Sequence, residues 1–161
     1  MKAIGIDPGL AMTGFGIVET MTRGGRACEW GVVRTRSTSP TPARLRSIYI
    51  ELGALVEKWT PDLVVIEDAF VLSDYPKAAI QLGTVIGVIS LLAEEKHLPV
   101  LEIKPLEVKG ALTGSGRADK EQLKKVVVRL LGLENETLSS HASDALALAL
   151  TGLSRKGILR W

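Results

Sequence analysis

The segment DLVVIE at 62–67 constrains this chain more than any other, because it is an unbroken apolar run that ends in an acid. A strand of that kind has no polar face to offer water, so it must sit inside a sheet covered on both sides. A second run, KAIGID at 2–7, stops at Asp-Pro-Gly, as a buried strand does where the chain turns. Two interior strands that each end in a carboxylate predict a sheet with one acidic edge.

The remaining periodicities fill in the layers. Thr13 to Glu19 and Arg26 to Arg34 are separated by the turn-prone RGG, so the opening reads as three strands in hairpin succession. From Thr41 to Trp59, Leu45, Ile48, Leu52, Leu55 and Trp59 recur at helical spacing, with Thr41 as N-cap and Pro42 in the first helical position. A long helix is expected from about Asp74 to Lys96, and VLEI near residue 100 supplies a fifth strand. A helix over roughly Arg117 to Leu131 stops at Gly132, and a last one begins at Ser139 or Ser140 and ends near Gly152. The order βββαβαβαα describes an α/β fold with a five-stranded mixed sheet, three antiparallel strands followed by parallel ones, and helices on both faces.

At 161 residues, 46% hydrophobic and 24% charged, the chain has the apolar surface for one core and not for two ordinary domains. It is read as one domain over 1–153 followed by a short basic tail at 154–161, SRKGILRW. Cys28 is the single cysteine, which rules out an internal disulfide or a cysteine zinc site and points to the cytoplasm. The apolar stretch Ala78 to Ala93 is shorter than a membrane span needs and is expected to be a buried helix. Net charge is only +2, yet seven Lys/Arg face three acids between Lys104 and Arg129, a local excess suited to phosphates.

Asp7 and Glu67 end their strands at the edge where open α/β sheets bind ligands, and neighbouring carboxylates there repel unless a cation neutralises them. In SHASDALALAL, His141 and Asp144 are three apart and share one face near a helix N-terminus. Three carboxylates and an imidazole form the kind of site that holds two metal ions about 3.5 to 4 Å apart for phosphodiester cleavage.

The segments GIDPGLAMTGFGIV, VVIEDAFV, LGTVIGVI, VKGALTGSGRADKEQL and SHASDALALAL occur in this order over most of the chain. Together they resemble the RuvC Holliday-junction resolvases. The resemblance implies an RNase H-like fold, a homodimer, and symmetric nicking of four-way DNA junctions with two magnesium or manganese ions per site. It also implies a branch-migration helicase partner of the RuvA and RuvB type. By motif it makes Asp7, Glu67 and Asp144 catalytic metal ligands, while His141 stands where many relatives have aspartate. His141 is then either a ligand, which favours manganese over a strictly oxygen-seeking magnesium, or a group that handles protons for the attacking water.

The same resemblance assigns DNA contacts. Phe70 is either core or a platform that stacks on an unpaired base, with Tyr75 assisting. Lys109 and Lys120 match basic positions facing the cleavage site. Arg117, Lys120 and Lys124, spaced i, i+3 and i+7, are expected to form a cationic stripe on one helix face. Gly83 and Gly87 permit close helix approach, either to the sheet or across a dimer seam. A phosphotransferase of the actin and sugar-kinase type also opens on Asp-x-Gly, but it needs a second lobe that this length does not supply. A module that binds branched DNA without cutting it is disfavoured because all four site positions carry metal-capable groups. A ribonuclease of the same fold is the nearest rival, and the DPG turn, Phe70, Lys109 and Lys120 favour the resolvase.

Overall fold

The structure is a computed structural model that describes residues 1–22, 24–68 and 76–159. Its elements are β1 (Lys2–Asp7), β2 (Met12–Thr20), β3 (Gly25–Arg34), α1 (Thr41–Trp59), β4 (Leu63–Glu67), α2 (Pro76–Glu95), β5 (Val100–Ile103), α3 (Pro105–Thr113), α4 (Lys120–Leu131) and α5 (Ser140–Arg155). The five strands form one sheet in the order β3-β2-β1-β4-β5. β1 to β3 are antiparallel, and β4 and β5 run parallel to β1. This is the mixed sheet that the apolar runs predict, with the two interior runs side by side at its centre.

Strand alternation sorts the core into two layers. Ala3, Leu63 and Val65 face one side, where they pack with α5 residues such as Leu146, Ala149 and Leu153 and with Leu123 and Val127 of α4. Ile4, Ile6, Val64 and Ile66 face the other, against Ile48 and Leu52 of α1 and Val85 and Ile89 of α2. Both layers are needed because β1 and β4 are apolar on both faces.

α5 approaches the sheet more closely than an ordinary helix. A Cβ added to Gly5 would lie 2.0 Å from the Ala145 carbonyl, and one on Gly14 would lie 2.2 Å from the His141 carbonyl. One on Gly16 would stand 2.7 Å from Leu146 Cγ. Gly5 and Gly16 are paired across β1 and β2, so the missing side chains form a trough in which the helix backbone rests. Such an approach brings side chains from the start of α5 within reach of the end of β1.

Several expectations change. The chain between β5 and α4 contains a further helix, α3, whose nine residues are too short a span to show a period, although Pro105 in its first position and Gly114 past its end are helix-boundary signals. The N-cap of α1 is Pro40, not Thr41, and no side chain caps that end. α4 begins at Lys120, because Asp119 accepts from the Gln122 amide at 2.8 Å while its own amide donates to Gln122 Oε1 at 2.9 Å. Arg117 therefore precedes the helix, and the stripe of Arg117, Lys120 and Lys124 on one helix face does not exist.

α2 is not the buried helix expected from its composition. It is long and apolar enough to cross a membrane by length and composition alone, yet only 22% of that window is buried. Val85, Ile89, Leu92 and Ala93 lie on the sheet, while Ile80 and Leu91 are 68% and 55% exposed. Gly83 and Gly87 lie on the open side, where an added Cβ meets nothing within 4 Å, so they do not serve packing against the sheet. At the other end of the chain, α5 continues to Arg155 and Leu159 is buried in the core.

Candidate active site

Strand register sets the first two carboxylates. Ile6 pairs with Ile66 in the parallel β1/β4 ladder, so Asp7 and Glu67 are the next residues on adjacent strands. By alternation they follow Ala3 and Gly5, and Leu63 and Val65, and so face the α5 side of the sheet. The return from β1 to β2 is fastened by Thr13, fully buried, whose hydroxyl donates to the Gly9 carbonyl at 2.7 Å.

α5 brings the other two. Its N-terminus is fixed by Ser139, whose Oγ accepts from the Ala142 amide at 3.2 Å. His141, Asp144 and Leu148 then line one cleft with Asp7 and Glu67. His141 Nδ1 lies 2.7 Å from Asp7 Oδ2, an N–H donating to a carboxylate oxygen. α3 contributes Pro105, Val108 and Lys109, α4 contributes Lys120 and Leu123, and the cleft encloses about 250 Å³. Lys120 Nζ is 3.4 Å from Asp144 Oδ2, directed there by its place immediately after the Asp119 cap.

Charge in this cleft is poorly compensated. Burial first, then the neighbouring Asp7 and Asp144 carboxylates, pushes Glu67 up to about 7. Burial also raises Asp7, against the lowering effect of its bond to His141. A carboxyl group that holds its proton near neutrality beside two further acids leaves the cleft short of positive charge. Among the described residues no three His, Cys, Asp or Glu side chains stand as a preformed ion cluster. His141 and Lys120 instead occupy oxygens of Asp7 and Asp144.

Of the residues singled out in the sequence, Asp7, Glu67, His141, Asp144, Lys109 and Lys120 therefore meet in one cleft. Arg117 and Lys124 do not line it: Arg117 lies beside Ser115 and Gln122, and Lys124 beside Glu121 and Arg129. Phe70 and Tyr75 lie outside the described residues. The glycines of the trough are not among the residues singled out, although a Gly within each of GFG and IGI on the α5 face is the signal of a close backbone approach.

A family model described as crossover junction endodeoxyribonuclease RuvC matches residues 3–152. A crossover junction endodeoxyribonuclease RuvC of Caldicellulosiruptor saccharolyticus is 40% identical over 151 residues, covering 93% of this chain and 90% of the relative. The RuvC structure of Thermus thermophilus superposes with a TM-score of 0.88 at 32% identity over 99% of both chains. The same protein in complex with Holliday junction substrate superposes with a TM-score of 0.90 at 32% identity, covering 99% of this chain and 98% of that one.

Proposed function

The chain belongs to the crossover junction endodeoxyribonuclease RuvC family, and from that premise we propose that it resolves four-way DNA junctions by metal-dependent phosphodiester hydrolysis. The observation that carries this reading is the convergence of Asp7, Glu67 and Asp144, with His141, in one cleft beside Lys109 and Lys120. Its donor chemistry fits hard divalent cations: carboxylate oxygens from separate elements, two of them held toward protonation by burial and then by neighbouring carboxylates. Asp7, Glu67 and Asp144 would hold magnesium or manganese, and His141 as a fourth ligand would bias the site to manganese. Two such ions would supply an activated water and charge stabilisation at the leaving oxygen.

The protein's own groups do the rest. Glu67, pushed up to about 7 by burial and then by its neighbouring carboxylates, is the group whose proton a bound cation would displace near neutral pH. His141 orients the Asp7 carboxylate through its Nδ1–H, which leaves its other ring nitrogen either to bind a cation or, as the alternative, to exchange a proton with water. Lys120 and Lys109 bring positive charge to the mouth, where a scissile phosphate and its developing charge need it. Apolar Val108, Leu123 and Leu148 in the wall exclude bulk water and strengthen these interactions.

The enzyme acts as a homodimer paired through α2, whose open face carries Ile80, Gly83, Gly87 and Leu91 on one side of the helix. A twofold axis there gives two equivalent clefts for symmetric nicks, in concert with a branch-migration complex. Incubating the wild type and Glu67→Gln with four-way junction, linear duplex and RNA/DNA hybrid, each with manganese, magnesium or chelator, tests the reading. Metal-dependent cutting of the junction alone, lost in the variant, is expected. Equal cutting of duplex or hybrid would overturn the substrate, and cutting by the variant would overturn the metal site.

A further inference from the structure

A second cationic cleft opens at the same edge of the sheet, where β3 hands over to α1. It encloses about 220 Å³ and is lined by Arg34, Thr35, Arg36, Ser39, Ala43, Arg44 and Ser47. Among the described residues no acid lines it, and none of its three arginines is within salt-bridge distance of a carboxylate. Three arginines that line one cleft with no acid among the described lining residues make it net positive, an arrangement that an external anion relieves.

The local structure holds the cleft in shape. Arg44 Nε donates to Thr35 Oγ1 at 2.8 Å, and the Thr35 hydroxyl donates to the Leu10 carbonyl at 2.6 Å. The Thr35 amide donates to the Ala11 carbonyl at 3.1 Å, which ties the start of the cleft to the loop that follows Asp7. The end of α1 that faces it has no acidic residue in its first turn and no side-chain cap. The positive end of a 19-residue helix thus adds to the arginines without internal compensation.

Position relates the cleft to the active site. Asp7 pairs with Gly14, Gly14 with Val32, and Met12 with Arg34. Two strand spacings across and two residues along place Arg34 roughly 12 Å from Asp7, the length of about three to four base steps of a DNA strand. Arg34 also lines a groove with Ser139 and Ala142 at the start of α5, the helix that carries His141 and Asp144. Arg34 thus lines both the arginine cleft and a groove that reaches the N-terminus of the helix carrying His141 and Asp144.

We propose that the Arg34–Arg36–Arg44 cleft is a phosphate subsite that grips the DNA backbone a few nucleotides from the scissile bond. The proposal rests on the resolvase reading for the identity of the nucleic acid, and its ligand chemistry is a phosphodiester oxyanion. Arg36 is exposed and its side chain makes no hydrogen bond among the described residues, so removing it leaves the fold intact. Among the same residues the Arg34 guanidinium has only the Met12 sulfur as a partner, at 2.9 Å.

The test measures junction and linear-duplex binding by fluorescence anisotropy over a salt series in chelator, for wild type, Arg36→Gln and Arg34→Gln/Arg36→Gln. Melting with and without inorganic phosphate runs in parallel. Removing one arginine–phosphate ion pair is expected to reduce the slope of log K against log salt by about 0.9. Melting temperatures without phosphate should stay near wild type. An unchanged slope on both DNAs overturns the subsite. A phosphate-induced rise in melting temperature, absent from the variants while the DNA slopes stay unchanged, assigns the cleft to a free oxyanion and also overturns it. Failure of the wild type to cut junctions would sink the resolvase reading instead, and the slope on duplex would still decide the cleft.

Discussion

Replacing Glu67 with glutamine should make the metal-free protein more stable while abolishing its nuclease activity. The folded chain holds the Glu67 proton up to about pH 7, against an ordinary value of 4.5. The displacement, at about 1.4 kcal/mol per pH unit, corresponds to about 3 kcal/mol. Part of the side chain reaches solvent, so screening reduces the realised effect to about 1–2 kcal/mol. Because the folded-state value lies above the unfolded one, wild-type stability from this group is complete below about pH 4.5 and is lost as pH rises through about 7. Glutamine has the same shape and no charge, so it escapes the loss. In chelator at pH 8, Glu67→Gln should melt about 2–8 °C above wild type, given about 2–4 °C per kcal/mol for a chain of this size. Near pH 5 the gap should close. Manganese should raise the wild-type melting temperature at pH 8 more than that of the variant. Circular dichroism melts at the two pH values decide the matter. A variant less stable than wild type at pH 8, or more stable by the same amount at both, would refute the idea that crowded carboxylates strain the cleft.

Four other outcomes follow from the geometry. Gly5→Ala drives a Cβ to 2.0 Å from the Ala145 carbonyl, so it should cost about 1–3 kcal/mol or more in urea unfolding and lift His141 and Asp144 from the site. Asp119→Ala removes the side-chain half of the capping box, the bond accepted from the Gln122 amide, and should cost about 1 kcal/mol, with a larger loss in cleavage than the stability change explains, because Lys120 is the next residue. His141→Asp should shift the metal preference from manganese toward magnesium in junction-cleavage assays; an unchanged preference would remove His141 from the ligand set. Ile80→Asp with Leu91→Asp should yield monomers by sedimentation while helicity is retained, since both side chains are exposed in the single chain.

The contrast between the two helices flanking the central strands shows what a sequence states and what it leaves to tertiary structure. Asp7 and Glu67 are legible because a buried strand has only one way to end in a carboxylate, and alternation fixes the face on which it emerges. His141 and Asp144 are legible as a pair on one face of a helix, but not as neighbours of Asp7. That proximity depends on Gly5, Gly14 and Gly16, which lower strand propensity and gain meaning only once α5 lies in their trough. α2 misleads for the opposite reason: its composition is apolar on several sides, and one chain has only one sheet face to cover them, so Ile80 and Leu91 remain open. α3 escapes because a nine-residue helix with two buried side chains, Val108 and Leu112, has too few turns to impose a period. Arg117 is misplaced although the signal is present: Asp119 followed three residues later by Gln122 is a capping box, and it starts the helix after Arg117. The candidate site is thus assembled from signals of different range. Strand ends are local, helix spacing is regional, and the glycine trough that joins them is visible only when the sheet and α5 are considered together.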